Sequence, residues 1–155
     1  MSNGSESSRA RDPAAGIRLI LLAALALGIA GTAIELVLIN HLEDWQQWIP
    51  LVALAASALT IAWSVARRSA LAVRAVQVCM LGLIAAGLVG VGLHLSESLE
   101  FQEELTPSLS RVELLRKALG ATAPPALAPA SLAQLGLVGL AYTFRHPGLK
   151  RSTEE

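Results

Sequence analysis

Cysteine is almost absent from this 155-residue chain, charged residues make up only 15% of it, and aromatic residues only 4%. A single thiol cannot form an internal disulfide, and Cys79 lies within an apolar run, where a cysteine behaves as a small buried hydrophobic residue. The 12 basic and 12 acidic residues cancel to a net charge of zero. No nucleic-acid partner is expected, because phosphate backbones are bound through an excess of Lys and Arg.

Recognised catalytic signatures are missing as well. The sequence contains no phosphate-binding glycine loop, no H-E-x-x-H, no G-x-S-x-G and no C-x-x-C. These absences favour a non-catalytic protein and leave an enzyme as the alternative.

Long apolar runs are the main feature of the chain, which is 54% hydrophobic and has a mean hydropathy of +0.55. A helix of about 20 apolar residues crosses the hydrocarbon core of a bilayer. None of the runs keeps a consistently polar face, which disfavours a soluble bundle. The sequence therefore predicts an all-α polytopic protein, a four-helix transmembrane bundle within residues 16–146. Its predicted spans are 17–39, 49–66, 70–95 and 126–144.

The basic residues flank these runs unevenly, and such an asymmetry sets membrane orientation. Only Arg111, Arg116 and Lys117 fall on the side of the loop after the third run. The pattern predicts a multi-pass protein of the plasma (inner) membrane, with a disordered cytoplasmic tail at 1–15 and a second cytoplasmic tail at 147–155. The basic residues on the side of the two termini are Arg9, Arg11, Arg18, Arg67, Arg68, Arg74, Arg145, Lys150 and Arg151.

The first run also resembles a secretory signal, because "GTA" at 31–33 imitates a cleavage site. A signal core is usually 7–15 residues long. The run continues to Ile39, which favours a retained span over a cleaved one.

The segment 96–125 is predicted to be an outer loop that folds back as a cap. Ser110 and Glu113 have the spacing of a capping box, so a short amphipathic helix is expected after them. Its apolar face, formed by Val112, Leu115 and Leu119, would lie on the bilayer surface or over the mouth of the bundle.

Glycines recur at helical spacing in the first, third and fourth runs. In lipid, small residues allow two helix backbones to approach closely. We therefore expect these glycines to line the contacts between helices, and Glu35 to continue the seam of the first span into the bundle interior. The glycines are Gly28, Gly31, Gly87, Gly90, Gly136 and Gly139.

Histidines and carboxylates gather at the predicted outer ends of the spans. They would form one site if the first and third spans are neighbours, and His94 and Glu97 share a helix face at i, i+3. Such side chains bind Zn²⁺, Mn²⁺ or iron, or relay protons. The candidate residues are Glu35, His41, Glu43, His94, Glu97 and Glu100.

Two functional classes follow from these features. The first is a non-catalytic bundle, with Glu35 in a structural role, that acts as a subunit or binding module and meets a protein partner or a second copy through its outer face. The second is a membrane enzyme, sensor or transporter with an outward-facing metal or proton site. A divalent metal is the cofactor this class implies. A haem between His41 and His94 is disfavoured, because the surrounding residues are acidic.

Overall fold

The computed structural model describes residues 13–40, 44–120 and 128–149, and every regular element within these ranges is helical. The all-α prediction is confirmed. The predicted N-terminal tail lies outside the described residues up to residue 12, and so do residues 150–155 of the C-terminal tail. The helices are α1 (Pro13–Leu38), α2 (Trp48–Arg67), α3 (Ala70–Leu105), α4 (Arg111–Gly120) and α5 (Ala130–Thr143), with a 3₁₀ turn at Trp45–Gln47 before α2.

Three helical stretches are long and apolar enough to cross a membrane: Pro13–Leu38, Trp45–Arg67 and Ala70–Leu105. The fourth apolar helix, α5, has only 14 residues and is about 21 Å long. It is therefore shorter than the predicted run at 126–144, of which residues 126 and 127 lie outside the described part of the chain. By itself α5 does not reach across the roughly 30 Å of a hydrocarbon core.

The outward faces of the long helices are apolar. Leu27 on α1, Leu59 on α2 and Val78 on α3 are 75%, 71% and 68% exposed. Large continuous apolar surfaces are rare on soluble monomers. Because such side chains are solvated by lipid rather than by water, the molecule is a membrane protein.

The turn between α2 and α3 is short because each helix end is capped locally. Arg68 adopts a left-handed conformation with φ 49°, and its N–H donates to the carbonyl of Ser64. Ser69 then caps α3, its hydroxyl accepting a hydrogen bond of 3.3 Å from the N–H of Ala72. The chain therefore reverses within two residues, Arg68 and Ser69, and α2 packs against α3.

The four apolar helices pack in a ring. α1 contacts α2 and α5, and α3 contacts the same two helices. α1 and α3 therefore lie at diagonal corners, and the expectation that the first and third spans are neighbours is wrong, because α5 fills the corner between them. Side chains from all four helices meet at the centre: Leu25, Ile29, Leu54, Ile61, Val76, Met80, Leu83 and Leu132.

Regular spacing places the buried residues on one stripe of α2. Leu54, Ser57, Ile61 and Ser64 are buried at alternating steps of three and four residues, the spacing of left-handed helix packing. The two hydroxyls donate to carbonyls of their own helix, Ser57 to Ala53 at 2.7 Å and Ser64 to Ile61 at 2.8 Å. These serines therefore act as small interface residues whose polar groups are satisfied without a partner helix.

Candidate functional site

Glu35 is exposed on α1 and does not point into the bundle. The prediction that it continues a seam of small residues is wrong at this position. The covered stripe of α1 runs through Leu25, Ile29, Ala33 and Leu36, and Glu35 lies to one side of it. At this level the carboxylate lies on the outer surface of the ring, and α3 lies at the opposite corner.

His94 and Glu97 share α3 but differ in environment. His94 is half-buried with a buried Nδ1 atom, on the same face as the buried Ser98. Glu97 and Glu100 are exposed. The structure therefore separates the histidine from Glu35, which lies on α1, whereas Glu97 follows His94 by three residues on the same helix.

The remaining two candidates, His41 and Glu43, lie outside the described residues. Within the ranges that the structure describes, no three His, Cys, Asp or Glu side chains are close enough together to hold a metal ion. A metal centre built from all six candidate residues stays a prediction.

The glycines lie mainly where α5 packs against α3. A Cβ atom built on Gly87 would lie 2.6 Å from the backbone nitrogen of Ala133, and one built on Gly90 would lie 2.7 Å from the Cβ of Pro129. Neither position has room for a side chain. The backbone of α3 therefore approaches the start of α5 in the way that small-residue packing allows.

The glycines of α5 make the reciprocal contacts. A Cβ on Gly136 would meet the side chain of Ile84 at 2.6 Å, and a Cβ on Gly139 would collide with the sulfur of Met80. On α1, a Cβ on Gly28 would collide with Leu135 of α5. Gly31 differs from the other five, because a Cβ at this position would have no neighbouring atom within 4 Å, and it takes no part in a close helix contact.

A capping box starts α4, as the sequence predicts. The N–H and the hydroxyl of Ser110 donate to Oε2 of Glu113 at 3.0 and 2.7 Å, and the N–H of Glu113 donates to Ser110 Oγ at 3.4 Å. These bonds, the hydroxyl bond first, lower the pKa of the Glu113 carboxyl. The start of this helix is therefore fixed by its own side chains.

The side of α4 that packs against α3 differs from the predicted apolar face. Leu114 and Ala118 are buried, and α4 packs against α3. Val112, Leu115 and Leu119 are 77%, 40% and 45% exposed. The predicted apolar face lies about 100° around the helix from the leucine–alanine stripe that contacts α3. It is uncovered, and its placement on the bilayer surface or over the mouth of the bundle stays a prediction.

Two groups of contact residues carry only weak signals in the sequence and were not predicted. Ser57 and Ser64 on α2 have the spacing of a small-residue interface. A search for regularly spaced glycines does not find them, because these small residues are serines. Ser98, buried on the outer part of α3, lies one turn after His94 and marks the covered face there. The small size of Ser98 and its position one turn after His94 are the sequence features that could have indicated its burial.

No protein-family model matches the chain, and no curated protein or solved structure is significantly similar to it.

Proposed function

We propose that the chain is a four-span protein of the plasma (inner) membrane, with both termini cytoplasmic, which acts as a non-catalytic subunit or binding module through its outer face. The outer unit formed by α4 and the distal part of α3 carries this proposal. It is the one part of the described chain in which a short amphipathic helix is docked on an element that extends past the length of a membrane span.

The fourth crossing is supported by the path of the chain after α5. Pro129 lies against Gly90, and Gly148 lies close to Val73, so the segment between them follows α3. The stretch of α3 from Val73 to Gly90 is about 26 Å long. A 3₁₀ turn at 147–149 therefore extends the short helix to nearly the thickness of the hydrocarbon core.

The orientation is supported by the separation of residue types. Arg18, Arg68 and His146 line one cleft at one end of the ring. Trp45 and Trp48, both exposed, begin the opposite end of α2. Arginines at the cytoplasmic boundary and tryptophans at an interface are the expected arrangement.

Cysteine labelling tests the topology. In a Cys79→Ser background, Ser108→Cys on the outer segment should react with a membrane-impermeant maleimide in intact cells, and Ser152→Cys should react only after lysis. The reverse pattern would show that the proposed orientation is wrong.

The outer unit reaches beyond the bilayer because α3 is a 36-residue helix, about 54 Å long. A span uses about 30 Å of it, which leaves roughly 24 Å outside. α4 covers one face of this extension, while Phe101 and Leu105 on α3 remain exposed, as does the uncovered row of α4. Apolar side chains left outside the membrane by a docked helix are suited to contact with another protein.

Site-specific photo-crosslinking tests this surface. A photoreactive residue at Leu115 should give a discrete protein adduct in intact cells, because this side chain belongs to the uncovered row. Lys117, on the opposite flank of α4, is the matched control and should give little. If positions 112 and 115 yield only lipid adducts, then α4 lies on the bilayer and the binding-module function is contradicted.

The metal or proton site is not advanced as a second function. It depends on bringing Glu35 and His94 together, and these lie on diagonal helices. Its other members lie outside the described residues or on exposed faces.

A further inference from the structure

A cleft of about 400 Å³, lined by both apolar and basic residues, opens at the end of the ring opposite to α4. Three chain segments form it: the start of α1, the end of α2, and the turn that follows α5. Arg18, Arg68, Tyr142 and His146 are the residues in its lining that carry charge, a phenol or an imidazole. None of the lining residues within the described chain is acidic, so the charge of the lining is positive.

The backbone around Arg68 fixes where its side chain leaves the chain. Its left-handed conformation caps α2 and turns the chain into α3. The turn after α5 packs against this cap, since a Cβ on Gly148 would lie 3.1 Å from the carbonyl oxygen of Arg68. Gly148 is buried, and only a glycine allows that approach without displacing a neighbour.

His146 is held in one neutral tautomer. The N–H of Gly148 donates to Nδ1 of His146 at 3.1 Å, so this nitrogen carries no proton and Nε2 is the donor. The ring lies 5.5 Å from the ring of Tyr142, centroid to centroid. Burial first, and then the positive charges of Arg18 and Arg68, lower the pKa of His146. The two arginines that disfavour a positive charge on the imidazole would therefore attract an anion bound in the same cleft.

From this arrangement we infer that the cleft binds an anionic phosphate group, with the guanidinium groups of Arg18 and Arg68 as its main ligands and His146 as a further donor. Guanidinium groups present fork-shaped pairs of donors that match phosphate oxygens. Because these two residues come from different helices, a phosphate between them would link the start of α1 to the α2–α3 turn. Basic pockets at the cytoplasmic ends of membrane helices are suited to lipid headgroups.

Two sources could supply this phosphate, a phospholipid headgroup or a soluble phosphate compound. The apolar side chains of Leu19 and Val65 line the cleft and are 68% and 46% exposed. They provide a surface along which an acyl chain could leave the headgroup. The same guanidinium pair would accept a soluble phosphate without that chain, and the experiment has to compare the two.

The test measures thermal unfolding of the full-length protein in a neutral detergent. Phosphatidylglycerol is titrated into the micelles, with phosphatidylcholine as the uncharged comparison, and sodium phosphate is titrated against sodium chloride at equal ionic strength. A phosphate site predicts a saturable rise in Tm with at least one phosphate source and none with its comparison. Arg18→Gln and Arg68→Asn should each weaken the apparent affinity about tenfold or more, the loss expected for a charged hydrogen bond.

Arg145→Asn is the matched control. Arg145 has φ 48°, close to the 49° of Arg68, and removal of either arginine takes one charge from the same end of the molecule. Arg145 does not line the cleft, and its guanidinium lies over the ring of Phe144. Asparagine tolerates the left-handed conformation, so both variants keep their turns.

The outcomes separate the possibilities. A rise in Tm with phosphatidylglycerol alone identifies a lipid headgroup, and an equally variant-sensitive rise with sodium phosphate identifies a soluble ligand. If Arg145→Asn weakens the effect as much as Arg68→Asn, binding is a general charge effect and the inference is overturned. It is also overturned if neither source stabilises the wild type beyond its comparison. If Arg68→Asn does not fold, the affinity of Arg18→Gln, which changes a residue within a regular helix, decides the question.

Discussion

The two ends of the bundle both carry ionisable residues, and in the part of the chain that the structure describes those of one end line a common cleft. At the end with Trp45, the carboxylates of Glu35 on α1 and of Glu97 and Glu100 on α3 are exposed on two different helices. At the other end, arginines from two helices and a histidine from the chain after α5 line a single cleft. The difference follows from packing, because the chain after α5 packs against the α2–α3 turn through the buried Gly148, whereas the distal part of α3 packs against α4 in the described part of the chain.

The largest loss of stability is expected from a substitution at the contact between α3 and α5. Gly87→Leu places a side chain against the backbone of Ala133, so the two helices must separate. We expect a loss of about 1–3 kcal/mol or more in unfolding free energy, measured as a lower Tm in detergent. Gly31→Leu is the control.

The control position has open space around its Cβ, and removing a helical glycine gains up to about 1 kcal/mol. Gly31→Leu should therefore be as stable as the wild type or slightly more stable. Equal losses in the two variants would show that α5 does not pack closely against α3 at Gly87.

The long apolar runs made the all-helical membrane fold predictable, and helix periodicity made most of the glycine contacts predictable. Gly28, Gly87 and Gly136 lie on seams that spacing alone indicates. Spacing does not state which of two adjoining sides of a helix is covered. For this reason the same argument failed at Gly31 and Glu35, because the covered stripe of α1 continues through Ala33 and Leu36 instead.

The candidate site was less predictable because it depends on which helices are neighbours. Equal depth in the membrane suggested that Glu35 and His94 could meet, but the ring places their helices at diagonal corners. The cleft at the basic end was missed for the complementary reason. Its residues are distant in sequence, and arginine flanks were interpreted only as signals of orientation.

A smaller, pH-dependent effect is expected at the basic end. The folded-state pKa of His146 is below its ordinary value of 6.5. Its contribution to stability is therefore complete above about pH 6.5 and is lost as the pH falls through the lower folded-state value, because the unfolded chain then binds the proton more readily. The Tm of the wild type should fall more between pH 7 and pH 5 than that of His146→Asn.

His146→Asn is informative because its side-chain oxygen can still accept the N–H of Gly148 but does not titrate. The groups facing His146 are Arg18 from α1, Arg68 from the end of α2 and Tyr142 from α5. A bound phosphate would oppose the effect of the two arginines and raise the pKa of the histidine. Phosphatidylglycerol should therefore reduce the difference between wild type and variant, and a difference that persists unchanged would separate the titration of His146 from anion binding.

The smallest effect is expected at Glu35, which lies on α1 outside the cleft that the arginines line at the basic end. Its carboxylate is exposed, so Glu35→Gln and Glu35→Leu should both change the unfolding free energy by no more than about 0.5 kcal/mol. Glu35→Leu is the more decisive variant, because a leucine would be favourable on a lipid-facing surface and harmful in a polar interior contact. Tm measurements in detergent would show the difference. A marked loss in Glu35→Leu with normal stability in Glu35→Gln would mean that the carboxylate accepts a hydrogen bond from a partner chain, which would extend the binding surface of the outer unit to α1.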